Sequence, residues 1–194
     1  MNDFDTLRRL LEEDRSIRRF DASRPIGRDV LTQLVDLTRL CASGRNLQPL
    51  RYRPVDTAEE RDALFPLLAW AGYLTDWAGP APEERPTAYL VQCLNLSLAK
   101  NCLCDDGLQL QAITLGARAL GIGACILKAF DPAKVAAALG IDTERFMPRY
   151  VVALGYPAEK VVLEDMEEAD IKYWRSPDGT HHVPKRPLSE LIIC

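Results

Sequence analysis

Arg15, Ser16, Arg18 and Arg19 stand together where a first helix reads as ending, and Lys185-Arg186 forms a second basic pair near the other end of the chain. Guanidinium forks beside a hydroxyl are the donors that a phosphate monoester accepts, so two clusters remote in sequence could close on one phosphate. A solvated charged face is the alternative, because basic clusters are common on exposed helix ends. A second candidate is the loop Ala42-Ser-Gly-Arg-Asn-Leu-Gln-Pro49. Its Asn46 and Gln48 each carry a donor and an acceptor, the equipment for reading the edge of a heterocycle. Ser and Asn also hold turns by bonding nearby backbone, and both readings stand at this point.

Other chemistries lack their residues. Gly121-Ile-Gly123 follows a helix and enters a strand, the reverse of a dinucleotide-binding fingerprint, and no GxSxG elbow or Walker loop is present. Cys102 and Cys104 form no CxxC, and the His181-His182 pair has no HExxH spacing, so a metal is not expected and the histidines read as packing near the terminal segment. The six cysteines (Cys41, Cys93, Cys102, Cys104, Cys125, Cys194) are expected to be free thiols.

Composition narrows the class further. The 194 residues are 47% hydrophobic and 27% charged, which excludes disordered, collagenous and integral-membrane chains and favours one domain over residues 1–194. The formal charge of −4 argues against nucleic acid as a partner while allowing a local anion site. No membrane partner is expected. Met1 to Asp14 lacks the basic-then-apolar order of a secretory signal, which makes the cytoplasm the expected compartment.

Apolar spacing predicts the elements that must position these groups. Helices are expected over Asp3 to Asp14, from Val30 to a stop at Ser43-Gly44, from Thr57-Ala-Glu-Glu60, and from Asp131-Pro132 to Gly140. The longest, Leu103 to Leu120, carries apolar residues around much of its circumference, the pattern of a central or interfacial helix. Strands are expected at Tyr52 to Val55, Ala88 to Leu94, Ala124 to Leu127 and Tyr150 to Leu154. Beyond Pro157 the pattern is irregular until an apolar strand at Leu191-Ile-Ile193, which needs a pairing partner such as a second subunit. The order of elements is α+β or α/β.

The segments Arg15-Ser-Ile-Arg-Arg-Phe20, Ala42 to Pro49, Ala119-Leu-Gly-Ile-Gly-Ala-Cys125, Leu154-Gly-Tyr-Pro157 and Pro184-Lys-Arg-Pro187 occur in register over nearly the whole chain. Together they resemble the FMN-dependent nitroreductase family. The resemblance implies an α+β fold, with a small, mainly antiparallel sheet flanked by helices in an intertwined homodimer with exchanged C-terminal segments. It implies FMN at the subunit interface, its phosphate held by Arg15, Ser16, Arg18, Lys185 and Arg186. Ser43 and Asn46, from the partner subunit, would approach the flavin. The stretch Ile126-Leu-Lys-Ala129, with Leu127 and Lys128, would lie along its ring and place a backbone N–H and a cation there.

The implied activity is ping-pong reduction of a nitroaromatic, quinone or similar small acceptor by NADH or NADPH, with the flavin rather than a side chain carrying the chemistry. A flavin carrier or sensor without efficient nicotinamide turnover is the other reading. Asp14 stands where many relatives have a basic residue, which would weaken the phosphate site by one charge. Trp70, Tyr73 and Trp77, at helical spacing, either line a substrate cavity or fill the core.

Overall fold

The computed structural model describes residues 2–167 and 170–193. Helix α1 (Asp3–Glu13) is followed by α2 (Arg28–Thr38), β1 (Leu50–Val55), α3 (Ala58–Leu64), β2 (Ala88–Asn95) and α4 (Asp105–Ala119). Then come β3 (Gly123–Leu127), α5 (Pro132–Leu139) and β4 (Phe146–Gly155). The four strands form one antiparallel sheet in the order β1-β2-β4-β3. The fold is α+β, as the sequence predicts.

Every residue of β2 is buried because both sheet faces are covered. Leu90, Val152 and Leu154 pack with Leu31 and Leu34 of α2 and Leu110, Ile113 and Ala117 of α4. On the opposite face Tyr89, Val91, Val151 and Ala153 pack with Leu64 of α3, Val135 and Leu139 of α5, and Trp70. The alternation of neighbours between the two clusters is the strand period of two. Local chemistry sets the helix ends: the Thr57 hydroxyl accepts from the Glu60 N–H, Asp131 accepts from Ala133 and Lys134, and Gly140 closes α5 at φ 62°. Glu60 turns to Arg53 instead of completing a reciprocal cap.

The segment beyond Pro157 differs from the irregular stretch expected. It forms a second sheet in which β5 (Val161–Asp165) runs parallel to β7 (His181–Lys185), and β6 (Trp174–Arg175) pairs antiparallel with β7. Its strands are short, and β7 contains Pro184, so no long alternating run announces it. Leu191 to Ile193 is not a strand: it follows a 3-10 turn at Leu188–Glu190 and lies exposed, with no ladder partner within the chain among the described residues. Cys194 lies outside the described residues. Cys41, Cys93, Cys102, Cys104 and Cys125 are free thiols.

Two glycines fix where the basic loop sits. Residues 14–20 run along the outer edge of β3, with Ser16 bridged to Ala124 and the Ile17 N–H donating to the Ala124 carbonyl at 2.9 Å. Ile17 and Phe20 insert beneath. A Cβ on Gly123 would stand 2.8 Å from Ile17 Cγ1, and one on Gly155 would stand 2.7 Å from the Phe20 ring. Neither position leaves room for a side chain while the loop stays docked.

Candidate functional site

A groove of about 360 Å³ opens where the loop, α4, the edge of β3 and the second sheet meet, within the size range of small-molecule sites. The loop contributes Asp14, Arg15, Ser16 and Arg18; α4 contributes Gln111 and Thr114; β3 contributes Ala124 and Ile126. The far wall is Tyr173 with His181, Val183 and Lys185 of β7. Those last three are spaced by two, so one face of the strand fronts the groove. His182 and Pro184 face away, and Arg186, just past the end of the strand, pairs with Glu190 at 2.7 Å. Within one chain, therefore, Lys185 lines the groove and Arg186 does not.

The electrostatics of the groove favour an anion. Among the described residues Arg15, Arg18 and Lys185 have no carboxylate within salt-bridge distance, although the chain as a whole is acidic. Arg15 Nη2 donates to the Leu11 carbonyl at 2.6 Å, and its buried Nε has no partner among those residues. Arg18 Nη1 donates to the Ser16 carbonyl at 3.3 Å and to His181 Nε2 at 3.1 Å, while its Cζ lies 4.8 Å from the Tyr173 ring centroid. Asp14 is engaged by α4: one carboxylate oxygen accepts from Gln111 Nε2 and from the Thr114 hydroxyl, each at 2.7 Å. That acid lines the groove yet pairs with none of its cations. Arg19 turns out of the groove to Glu84.

The loop is anchored from below by Glu159, whose side chain is 1% exposed. Its Oε1 accepts from the backbone N–H groups of Arg18 and Arg19, and its Oε2 accepts from Arg175 at 2.7 Å. His181 is fully buried in the central strand of the second sheet. Burial, and then the neighbouring Arg18 guanidinium, push its pKa down to about 4, so the ring is neutral at pH 7. Its Nδ1 is buried without a partner among the described residues.

Two expected contributors lie elsewhere. The Ser43 hydroxyl donates to Asp105 at 2.6 Å and accepts from the Gln48 N–H, and Asn46 accepts from the Gln48 amide at 2.9 Å. Within one chain they hold their own turn, in which Arg45, Asn46 and Gln48 all take positive φ, and they do not reach the groove. Of the stretch Ile126 to Ala129 only Ile126 fronts the groove. Leu127 points into the core, as strand alternation requires beside Ile126, and Lys128, just past the end of β3, donates from Nζ to the Arg149 carbonyl at 2.7 Å and lies over the Tyr150 ring. Trp70 and Trp77 belong to the core, whereas Tyr73 is exposed and packs against Tyr173 with the rings tilted by 57°. Gln111, Thr114, Tyr173 and His181 complete the groove without having been singled out as its lining. Only His181 carried a signal, and a histidine pair reads as packing as readily as it reads as a site.

The description of the nitroreductase family matches residues 11–91 and 103–156. The chain belongs to the nitroreductase family. This nitroreductase-family chain is 24% identical over 184 residues to YdgI of Bacillus subtilis (strain 168), provisionally named an NAD(P)H nitroreductase, with 78% of this chain and 88% of YdgI covered. A structure from Desulfovibrio desulfuricans, provisionally named a nitroreductase and solved in complex with FMN, superposes with a TM-score of 0.70 at 21% identity. The match covers 100% of this chain and 97% of that one. The enone reductase CLA-ER of gut-bacterial fatty acid saturation superposes at 0.68 and 20% identity, over 87% of this chain and 95% of its own. The family match ends at residue 156, so the wall formed by Tyr173 and β7 lies beyond it.

Proposed function

We propose that this nitroreductase-family chain is an FMN-dependent oxidoreductase that takes reducing equivalents from NADH or NADPH and passes them to a small aromatic, nitroaromatic or quinone-like acceptor in ping-pong turnover. The observation that carries the reading is the set of three cations without carboxylate partners around one groove, beside the Ser16 hydroxyl and two buried nitrogens lacking partners. A phosphate monoester supplies the charge and the acceptor oxygens that this set lacks. The FMN complex of the Desulfovibrio relative supports the choice of ligand.

Bound there, FMN would supply the hydride or electron transfer. The chain's part is to hold and shield it. Arg15, Ser16, Arg18 and Lys185 would take the phosphate. Beyond the bridge at Ala124, the outer edge of β3 carries no further strand among the described residues, which leaves backbone donors for a heterocycle, and Ile126 offers an apolar surface. The deciding experiment is the visible spectrum of the purified protein with anaerobic addition of NADH and then NADPH. Flavin bands that bleach support the reading and name the donor. Bands that persist would make the protein a carrier, a sensor or a protein-reduced enzyme.

Arg15→Ala is expected to weaken FMN binding by about 1.5–3 kcal/mol, the scale of a charge-assisted hydrogen bond, with riboflavin binding unchanged. Arg186→Ala is expected to weaken FMN binding less than Arg15→Ala, because within one chain that side chain pairs with Glu190 outside the groove. Flavin-fluorescence titration checks both, and equal losses from the two substitutions would contradict the assignment.

We further propose a homodimer, supported by the apolar residues that α4 and its flanks leave exposed: Leu103, Leu108 and Leu120 are 66%, 45% and 48% exposed. The exposed end, Leu191 to Ile193, supports an exchanged segment. In the dimer, Ser43 and Asn46 would meet the partner's flavin. Sedimentation equilibrium is expected to return twice the 21.7 kDa chain mass, and a monomer mass at micromolar concentration would refute it.

A further inference from the structure

We propose that His181 is a positioning residue of the phosphate site: its unprotonated Nε2 takes one N–H of Arg18 and turns the remaining donors of that guanidinium toward the groove without neutralising its charge. The inference rests on the flavin-phosphate reading above. Arginine has five N–H donors and no acceptor, so the 3.1 Å contact between Arg18 Nη1 and His181 Nε2 requires the ring nitrogen to accept. The ring proton then sits on Nδ1. A long arginine side chain loses rotamer freedom when it is fixed, and something must fix it before the ligand arrives if binding is to avoid that cost. Here the Tyr173 ring lies under the guanidinium carbon and His181 takes one N–H.

The chemical type of the acceptor matters. A carboxylate in this place would hold Arg18 more tightly, but it would cancel the charge that a phosphate dianion needs and repel the dianion itself. A neutral imidazole accepts one hydrogen bond and leaves the guanidinium charge uncompensated. The groups that face the ring favour its neutral state on balance: Arg18, Arg175 and His182 oppose protonation, and Glu159 alone favours it. The ring is also rigidly placed. His181 lies in the strand between β5 and β6, opposite Val161 and Arg175, its backbone N–H donates to the Lys160 carbonyl at 2.8 Å, and Tyr173 packs 5.2 Å away centroid to centroid. Lys185 stands four residues on, along the same strand face, so one strand would both deliver a cation and orient another. That strand lies beyond the span the family description matches.

The test compares dissociation constants for FMN and riboflavin, which differ only in the phosphate, in the full chain and in Arg18→Ala, His181→Leu and His181→Gln. His181→Leu is expected to cut the preference for FMN by about tenfold, the loss of one well-placed charged hydrogen bond, with riboflavin affinity unchanged. His181→Gln, whose amide oxygen reaches the place of Nε2, is expected to restore most of it. If the leucine variant does not fold, His181→Asn carries the same test, since its oxygen reaches only as far as Nδ1 and should fail where Gln succeeds. Full FMN preference in His181→Leu or His181→Asn, or a folded His181→Gln that binds riboflavin normally and gives no rescue, would overturn the proposal. Full FMN preference in Arg18→Ala would instead overturn the phosphate reading beneath it.

Discussion

Glu159→Ala is expected to lower the unfolding free energy by about 3–5 kcal/mol, the cost of removing one member of a buried charge pair. The carboxylate is 1% exposed and its partner Arg175 is 13% exposed, so water cannot replace what is lost. Three donors would be stranded: the Arg175 guanidinium, which lies over the Trp77 ring, and the N–H groups of Arg18 and Arg19. Each buried donor without an acceptor carries its own desolvation penalty. The exposed pair of Arg8 and Glu12, 71% and 57% exposed, is the contrast, since such pairs contribute about 0–1 kcal/mol. Glu159→Gln keeps an acceptor for the two N–H groups while losing the charge opposite Arg175, and should fall between wild type and Ala. Urea unfolding measures all three proteins. A loss below 1 kcal/mol for Glu159→Ala would mean that the loop and the C-terminal sheet are not joined through this carboxylate.

What could be read from the residue order follows from how local each feature is. The buried run of β2, the Asp131-Pro132 start of α5 and its stop at Gly140 are set by neighbours within a few positions, and they stand where the spacing puts them. Arg15, Ser16 and Arg18 share one turn of chain and reach the groove together. The C-terminal sheet could not be read in the same way. Pairing β5 with β7 joins residues about twenty apart in parallel across an intervening strand of two residues, and neither strand has a strict alternation. Without that sheet the parity of β7 is invisible. Parity is what admits His181, Val183 and Lys185 to the groove and turns His182 and Pro184 away. The same one-residue step separates Ile126, which fronts the groove, from Leu127, which is in the core. A family motif marks a stretch of chain, whereas the strand register decides which of its side chains arrive.

Between pH 6.5 and about pH 4 the protein is expected to lose about 3 kcal/mol of stability through His181 alone. The sign follows from the direction of the shift. Burial and the adjacent Arg18 hold the native pKa below the ordinary 6.5, so below that pH the unfolded chain binds a proton that the native ring refuses. The contribution is therefore fully present above pH 6.5, declines as the pH falls toward about 4, and stays level below that, where both states are protonated. Carboxylates held below their ordinary range, such as Asp178 at about 2, act at lower pH and leave this window largely to imidazole. His181→Gln isolates the effect, because other titrations common to the two proteins cancel in their difference. Relative to the wild type, the glutamine variant should gain stability steadily as the pH falls from 6.5 to 4, followed by unfolding midpoints in urea at half-unit steps. Parallel curves would mean that His181 accepts a proton in the native state near its ordinary pKa. The imidazole beside Arg18 would then be a cation for part of the physiological range, and the Arg18 contact could not have the donor–acceptor sense that its geometry assigns.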